Sequence, residues 1–193
     1  MESPLMTSEG LADLEADYRK LVSSICGIPS PPQVCFGQGG AAPRVVFVLG
    51  LPNGLHPLDP EGQEKFTQLR SAMQLESEDV YITTVIKTLN LASRPPHPAD
   101  VRRDRPWLER QLSRLAPEAI VAFGPKVGAM LTSGEIQDCG AGQISSVELE
   151  GVQGPIPVHM THEFTVLTRQ GRDEAKAREM WSHLRAVMEA VSP

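Results

Sequence analysis

The sequence has no long hydrophobic run and few cysteines. No apolar stretch approaches the roughly 18 to 20 residues that a membrane-spanning helix needs, and residues 1–7 lack the basic and apolar segments of a secretory signal. The three cysteines, Cys26, Cys35 and Cys139, are too few for a disulfide scaffold or for a four-cysteine metal site. We therefore expect a cytoplasmic protein with reduced thiols, no membrane contact and no bound metal.

Positive charge is in short supply. The chain has 18 Lys and Arg against 24 Asp and Glu, a formal net charge of -6 over 193 residues, which disfavours indiscriminate binding to phosphate polymers. Arginines nevertheless crowd one region, which fits either a solvated helix face with ion pairs or a local nucleic-acid contact. These are Arg94, Arg102, Arg103, Arg105, Arg110 and Arg114.

What is present is an alternation of apolar runs and helical spacings, typical of a layered α/β domain. Strands are predicted at 44–49, 80–86 and 118–123, with weaker ones at 145–149 and 155–160. Helices are predicted at 8–26, 61–75 and 172–191. A further helix ends at 115, with a kink or a fresh start at Pro106, and a short helix follows Pro125. We predict a three-layer αβα domain with a largely parallel four-stranded central sheet over 44–193. Residues 1–43 would form an N-terminal helix and a Gly/Pro-rich lead-in, both packed on this domain.

Ligands of such folds bind beyond the carboxyl ends of the strands, and several motifs lie at or beside these ends. They are Val34-Cys-Phe-Gly-Gln-Gly39, Gly50-Leu-Pro-Asn-Gly54, 80–88 with Arg94-Pro-Pro, 105–112, 116–124, Thr161-His-Glu-Phe-Thr-Val-Leu167 and the pair Trp181 and Leu184. In sequence and in order these segments resemble those of family 4 uracil-DNA glycosylases.

The resemblance implies a set of site residues. His162 would donate a hydrogen bond to the departing base, and Asn53 would position water; Gly50, Leu51, Pro52 and Thr84 would line the base pocket. A glycosylase needs such a donor because cleavage leaves negative charge on the base, and one preorganised donor contributes roughly 3 to 4 kcal/mol. Contacts to the nucleic-acid backbone would come from Lys87, Arg94, Arg169 and Arg172.

The sequence departs from the family pattern at several of these positions. Leu51 replaces an acid, Thr84 replaces the asparagine that reads uracil, and Glu163 replaces a proline, placing a carboxylate where phosphate would approach. The family's iron–sulfur cluster would use four cysteines, but Thr88 and Asp104 stand at two of those positions. We therefore predict no cofactor.

Two functions follow from this resemblance. The favoured one is a catalytically degenerate glycosylase-like protein that binds DNA weakly, with a possible protein partner in a replication or repair complex. The alternative is an active DNA glycosylase that hydrolyses the N-glycosidic bond of uracil or another deaminated base.

Overall fold

A computed structural model describes residues 10–26, 33–88, 97–133, 140–169 and 171–191. Five α-helices, six β-strands and one 3₁₀ helix alternate along these residues. In chain order they are α1 Leu11–Cys26, β1 Gln38–Gly39, β2 Val45–Leu49, α2 Pro60–Ala72, β3 Val80–Thr84, α3 Pro98–Leu115, β4 Ala119–Phe123, α4 Pro125–Thr132, β5 Ile144–Val147, β6 Ile156–Thr161, the 3₁₀ helix Phe164–Leu167, and α5 Glu174–Val191. None of the described helices is long and apolar enough to cross a membrane.

The sheet has six strands, in the order β1-β3-β2-β4-β6-β5. The four central strands are parallel, while β1 and β5 pair antiparallel at the two edges. The predicted parallel core is therefore present, but the prediction of four strands is wrong. The missed strand is β1, where Gln38 pairs with Ile82 inside the segment predicted to lack regular structure.

Helices cover both faces of the sheet. Along β2, Val45 and Phe47 belong to a core shared with α2 and α5, whereas Val46 and Val48 belong to a core shared with α3 and α4. This alternation is the two-residue period of a strand that is buried on both sides. The predicted αβα layering is therefore confirmed.

The N-terminal helix α1 packs on α3 in a small cluster of its own. Leu14, Tyr18 and Val22 meet Phe36 there, and the Tyr18 ring contacts Trp107 edge-on at a centroid distance of 5.3 Å. Segments that precede residue 44 thus contribute one helix and one strand to the fold.

Helix α3 runs unbroken through Pro106, so the predicted fresh start is wrong. Pro106 lies on the exposed face of the helix, where water can hydrate the carbonyl that loses its N–H partner. A capping box between His97 and Asp100 begins the helix, and Ala116 in the left-handed region ends it.

Candidate functional site

A cavity of about 540 Å³ opens at the carboxyl ends of the central strands. It lies between the loop that follows β2, the start of α4 and the segment that follows β6. Its volume is within the range of about 300 to 1,000 Å³ that is usual for ligand pockets. The lining residues are Leu49, Gly50, Leu51, Pro52, Asn53, Pro57, Leu58, Asp59, Gly62, Lys126, Val127, Met130, Glu163, Phe164, Thr165 and Thr168.

The loop after β2 forms a tight hairpin that carries Asn53 to this cavity. The backbone N–H of Asn53 donates to the His56 carbonyl at 2.8 Å, and the N–H of His56 donates back at 3.3 Å. Gly54 supplies the positive φ of +67° that a two-residue turn of this kind requires. Gly50, Leu51 and Pro52, for which contacts to a base are predicted, line the same cavity.

Thr84 does not reach the cavity. It is fully buried at the end of β3, and its hydroxyl donates to the Ile86 carbonyl at 2.7 Å. A hydroxyl that is buried and already bonded offers nothing to a base, so the expected base contact of Thr84 has to be corrected.

Lys87 is buried as well. Its ammonium donates to the Thr83 hydroxyl and to the Gln111 side-chain oxygen, both at 2.6 Å, and lies 5.2 Å from the centroid of the Phe36 ring. Burial lowers the pKa of Lys87 to about 7. A side chain with no exposed surface cannot contact phosphate, so the expected backbone contact of Lys87 is also corrected.

His162 is directed toward α5 rather than into the cavity. Its Nε2 lies 2.7 Å from Oε2 of Glu179, and its ring lies 5.8 Å from the ring of His183. Burial, with a smaller contribution from His162, lowers the pKa of His183. The structure therefore does not bring His162 and Asn53 together at one cavity.

Glu163, the next residue along the chain, lines the cavity instead. Its carboxylate rests against Gly124, where an added Cβ would lie 2.3 to 2.9 Å from the carboxylate atoms. Burial raises the pKa of this carboxylate, and nearby Lys126 opposes the rise. From the sequence, the Glu163 carboxylate was expected only to repel phosphate. Its position two residues after the central strand β6 could have indicated that it lies at the site.

The two described arginines of the predicted backbone set lie outside the cavity. Arg169 and Arg172 are exposed and line a neighbouring groove of about 790 Å³ between α2 and α5, which shares Thr168 with the cavity. Arg172 forms an ion pair with Glu174 at 3.1 Å. Arg94 lies outside the described residues.

The residues at the predicted cluster positions do not suit an iron–sulfur cluster. The Thr88 hydroxyl accepts a hydrogen bond from Arg103 at 2.9 Å, and the buried Asp104 carboxylate accepts from Tyr18 and from the backbone N–H of Lys87. Iron–sulfur clusters are held by thiolates. Within the described ranges, no group of three or more His, Cys, Asp and Glu side chains could hold a metal ion.

The cavity thus combines an apolar wall with one amide, two carboxylates, one ammonium and two hydroxyls. Leu51, Pro52 and Phe164 supply apolar surface for a flat ring, while Asn53 and Glu163 supply hydrogen-bonding groups. A mostly apolar lining with a few polar groups is typical of pockets that bind small molecules.

Comparisons with known proteins agree with the motif order and the fold. The family model described as the uracil DNA glycosylase superfamily matches residues 36–185. The chain is also similar to the type-4 uracil-DNA glycosylase of Archaeoglobus fulgidus, with 32% identity over 93 residues. That alignment covers 46% of this chain and 47% of the relative, so the chain matches about half the length of this curated protein. The protein belongs to the uracil-DNA glycosylase superfamily.

Proposed function

We propose that the protein binds DNA and takes an extruded base into the cavity at the carboxyl ends of its central strands, while its base-excising activity is degenerate. The observation that carries this proposal is the separation of the two expected catalytic groups. Asn53 lines an open cavity large enough for a base, whereas His162 is bonded to Glu179 outside it.

Loss of efficient excision is supported by what the cavity offers to a departing base. Catalysis requires a fixed donor at the base oxygen, but the expected donor, His162, is not among the lining residues. Leu51 stands at the position of the expected acid and cannot orient water. Binding is therefore the activity that these residues retain.

Contact with DNA is supported by an exposed leucine beside the cavity. Leu55 is 56% exposed, one of three large hydrophobic side chains in the described part of the chain with such exposure. It lies at the tip of the Asn53–His56 hairpin, whose flanking residues line the cavity. Proteins that unstack bases commonly insert an apolar side chain of this kind into the duplex.

Charge near the cavity limits the strength of this contact. Lys126 at the rim, with Arg169 and Arg172 along the neighbouring groove, can meet phosphates. The net charge of -6 opposes them, so the affinity should be low and should fall steeply with salt. A protein partner in a replication or repair complex remains a prediction from the sequence.

A second candidate function, an active DNA glycosylase with an altered base preference, is favoured by the Glu163 carboxylate in the cavity. In this reading Asn53 and Glu163 position water, and His162 would have to leave Glu179 to reach the base.

Single-turnover incubation with duplexes that contain uracil, hypoxanthine or xanthine distinguishes the two functions. The proposal expects binding in an anisotropy titration, with no base released at enzymatic speed. Release that disappears in His162→Ala or in Glu163→Ala would establish the second function and overturn the first. Asn53→Trp should weaken binding by filling the cavity, whereas Ile144→Trp, on the far edge strand β5, should leave it unchanged.

A further inference from the structure

The Glu163 carboxylate has no partner of its own. Within the described residues it accepts no hydrogen bond and forms no ion pair, although its backbone carbonyl accepts from Val166. Gly124, with a φ of +106°, leaves just enough room for it. The absence of a side chain at Gly124 thus allows the carboxylate to lie beside the cavity.

Two other polar side chains in the cavity already have a hydrogen-bond partner within the protein. Asp59 accepts from the backbone N–H of Gly62 at 2.7 Å, and the Thr168 hydroxyl donates to the Thr165 carbonyl at 3.0 Å. The groups left for a ligand include the Asn53 amide, the Thr165 hydroxyl, the Lys126 ammonium at the rim and the Glu163 carboxylate.

Glu163 is an exposed residue, so water hydrates its carboxylate while the cavity is open. A carboxylate only accepts hydrogen bonds, and it loses free energy when a ligand displaces that water without supplying donors in its place. A ligand that fits the cavity must therefore bring N–H donors to Glu163. The hydrogen-bonding edge of uracil has one N–H between two carbonyl oxygens, which a carboxylate repels. The corresponding edge of guanine carries two adjacent N–H donors, which match the two carboxylate oxygens.

We propose that this cavity takes a base with two adjacent N–H donors, as guanine has, and that Glu163 accepts both. The proposal rests on the proposed function, since it names the class of base that the cavity receives. Glu163 would then be the specificity-determining residue of the site. A bidentate pair of this kind discriminates between bases by about 10- to 100-fold.

Binding to duplexes with one orphan base tests this inference. Guanine, hypoxanthine or uracil is placed opposite an abasic site, and affinities are measured by fluorescence anisotropy at one salt concentration. Hypoxanthine keeps the ring N–H of guanine and lacks only its exocyclic amino group, so it is the matched ligand. The wild-type protein should prefer guanine to hypoxanthine and to uracil by about 10-fold or more.

Glu163→Gln is the matched variant, because it keeps the size of the side chain against Gly124 but replaces one acceptor with a donor. It should lose the preference for guanine and gain affinity for uracil relative to guanine. Glu148→Gln, which removes an exposed carboxylate beyond β5, should change neither ranking. Thermal unfolding of each variant checks that the fold is retained.

The preference should also depend on pH. Burial raises the pKa of Glu163 above its ordinary value of 4.5, so acidification toward that range protonates the carboxyl and removes one acceptor. The other charged side chains that line the cavity are Asp59, before α2, and Lys126, on α4; neither is altered in Glu163→Gln. The wild-type preference should therefore fall at low pH, while that of Glu163→Gln stays flat.

Two outcomes overturn the inference. Equal affinities of the wild-type protein for the three bases, or a guanine preference that survives in Glu163→Gln, would show that this carboxylate does not read the base. If binding in those cases still requires the cavity, as judged with Asn53→Trp, the proposed function stands and only the base assignment fails.

Discussion

Replacing Asp104 with alanine should cost more stability than any comparable change on the surface. Asp104 is fully buried and accepts hydrogen bonds from the Tyr18 hydroxyl at 2.8 Å and from the backbone N–H of Lys87 at 2.9 Å. The Arg103 guanidinium contacts both carboxylate oxygens. One carboxylate therefore joins α1, the segment after β3 and α3.

The magnitude follows from the donors that Asp104→Ala leaves behind. The Tyr18 hydroxyl and the Lys87 N–H would be buried without a partner, at a cost of about 1–3 kcal/mol each. Arg103, whose side chain is 28% exposed, can recover hydrogen bonds from water. We expect the free energy of unfolding to fall by about 3–5 kcal/mol, a large share of the ~5–15 kcal/mol of an ordinary domain.

Urea denaturation followed by far-UV circular dichroism measures this loss. Glu118→Ala is the control, since it breaks the exposed pair with Arg44 at 2.9 Å and should cost no more than about 1 kcal/mol. Tyr18→Phe should cost about 1.5–3 kcal/mol in the wild-type protein and much less in the Asp104→Ala background. Equal losses in Asp104→Ala and Glu118→Ala would refute the reasoning.

Three further changes have expected results. Gly124→Ala should lower the unfolding midpoint in urea by more than Gly151→Ala, because the φ of +106° and ψ of 135° at Gly124 lie well outside the left-handed region, whereas the φ of +78° at Gly151 lies close to it. The backbone strain costs about 1–3 kcal/mol, and equal shifts would contradict this difference in strain. Burial lowers the folded-state pKa of Lys87 to about 7 from its ordinary 10.5, so the unfolded chain binds more protons between these values and stability should rise from pH 7 to pH 9. Lys87→Met should flatten that rise in urea titrations; an unchanged slope would argue against the lowered pKa of Lys87 in the folded protein. Leu55→Ala should weaken DNA binding in anisotropy titrations without changing the melting temperature, whereas unaltered affinity would remove Leu55 from the DNA contact.

Much of the fold was predictable because each central strand has a hydrophobic pattern that identifies it in the sequence. Runs such as 45–49 and 119–123 are apolar on both faces, and only a sheet covered by helices on both sides accepts such strands. The two-residue strand β1 lacks any such pattern, since Gln38 and Gly39 are exposed. The position of β1 is set by its pairing with β3, and the local sequence pattern does not predict this long-range pairing.

The site was predictable only as far as the strand ends. Parallel topology brings Gly50–Asn53 and the segment after β6 to one edge of the sheet, and the cavity lies there. The backbone angles after β6 decide whether His162 or Glu163 faces the cavity, and a sequence pattern does not give these angles. The sequence therefore favoured His162, whereas in the structure Glu163 lines the cavity. Lys87 illustrates the same limit, because one of the polar partners that allow its burial, Gln111, lies 24 residues further along the chain in α3.

The most direct test of the central claim is 2-aminopurine fluorescence in a duplex in which this reporter base is the stacked neighbour of a guanine placed opposite an abasic site. If the cavity receives an extruded base, binding of the wild-type protein should change the emission strongly because the base leaves the stack. Asn53→Trp should abolish the change, and Ile144→Trp should preserve it. Emission that stays constant while anisotropy reports full binding, or that responds equally in both variants, would contradict the account.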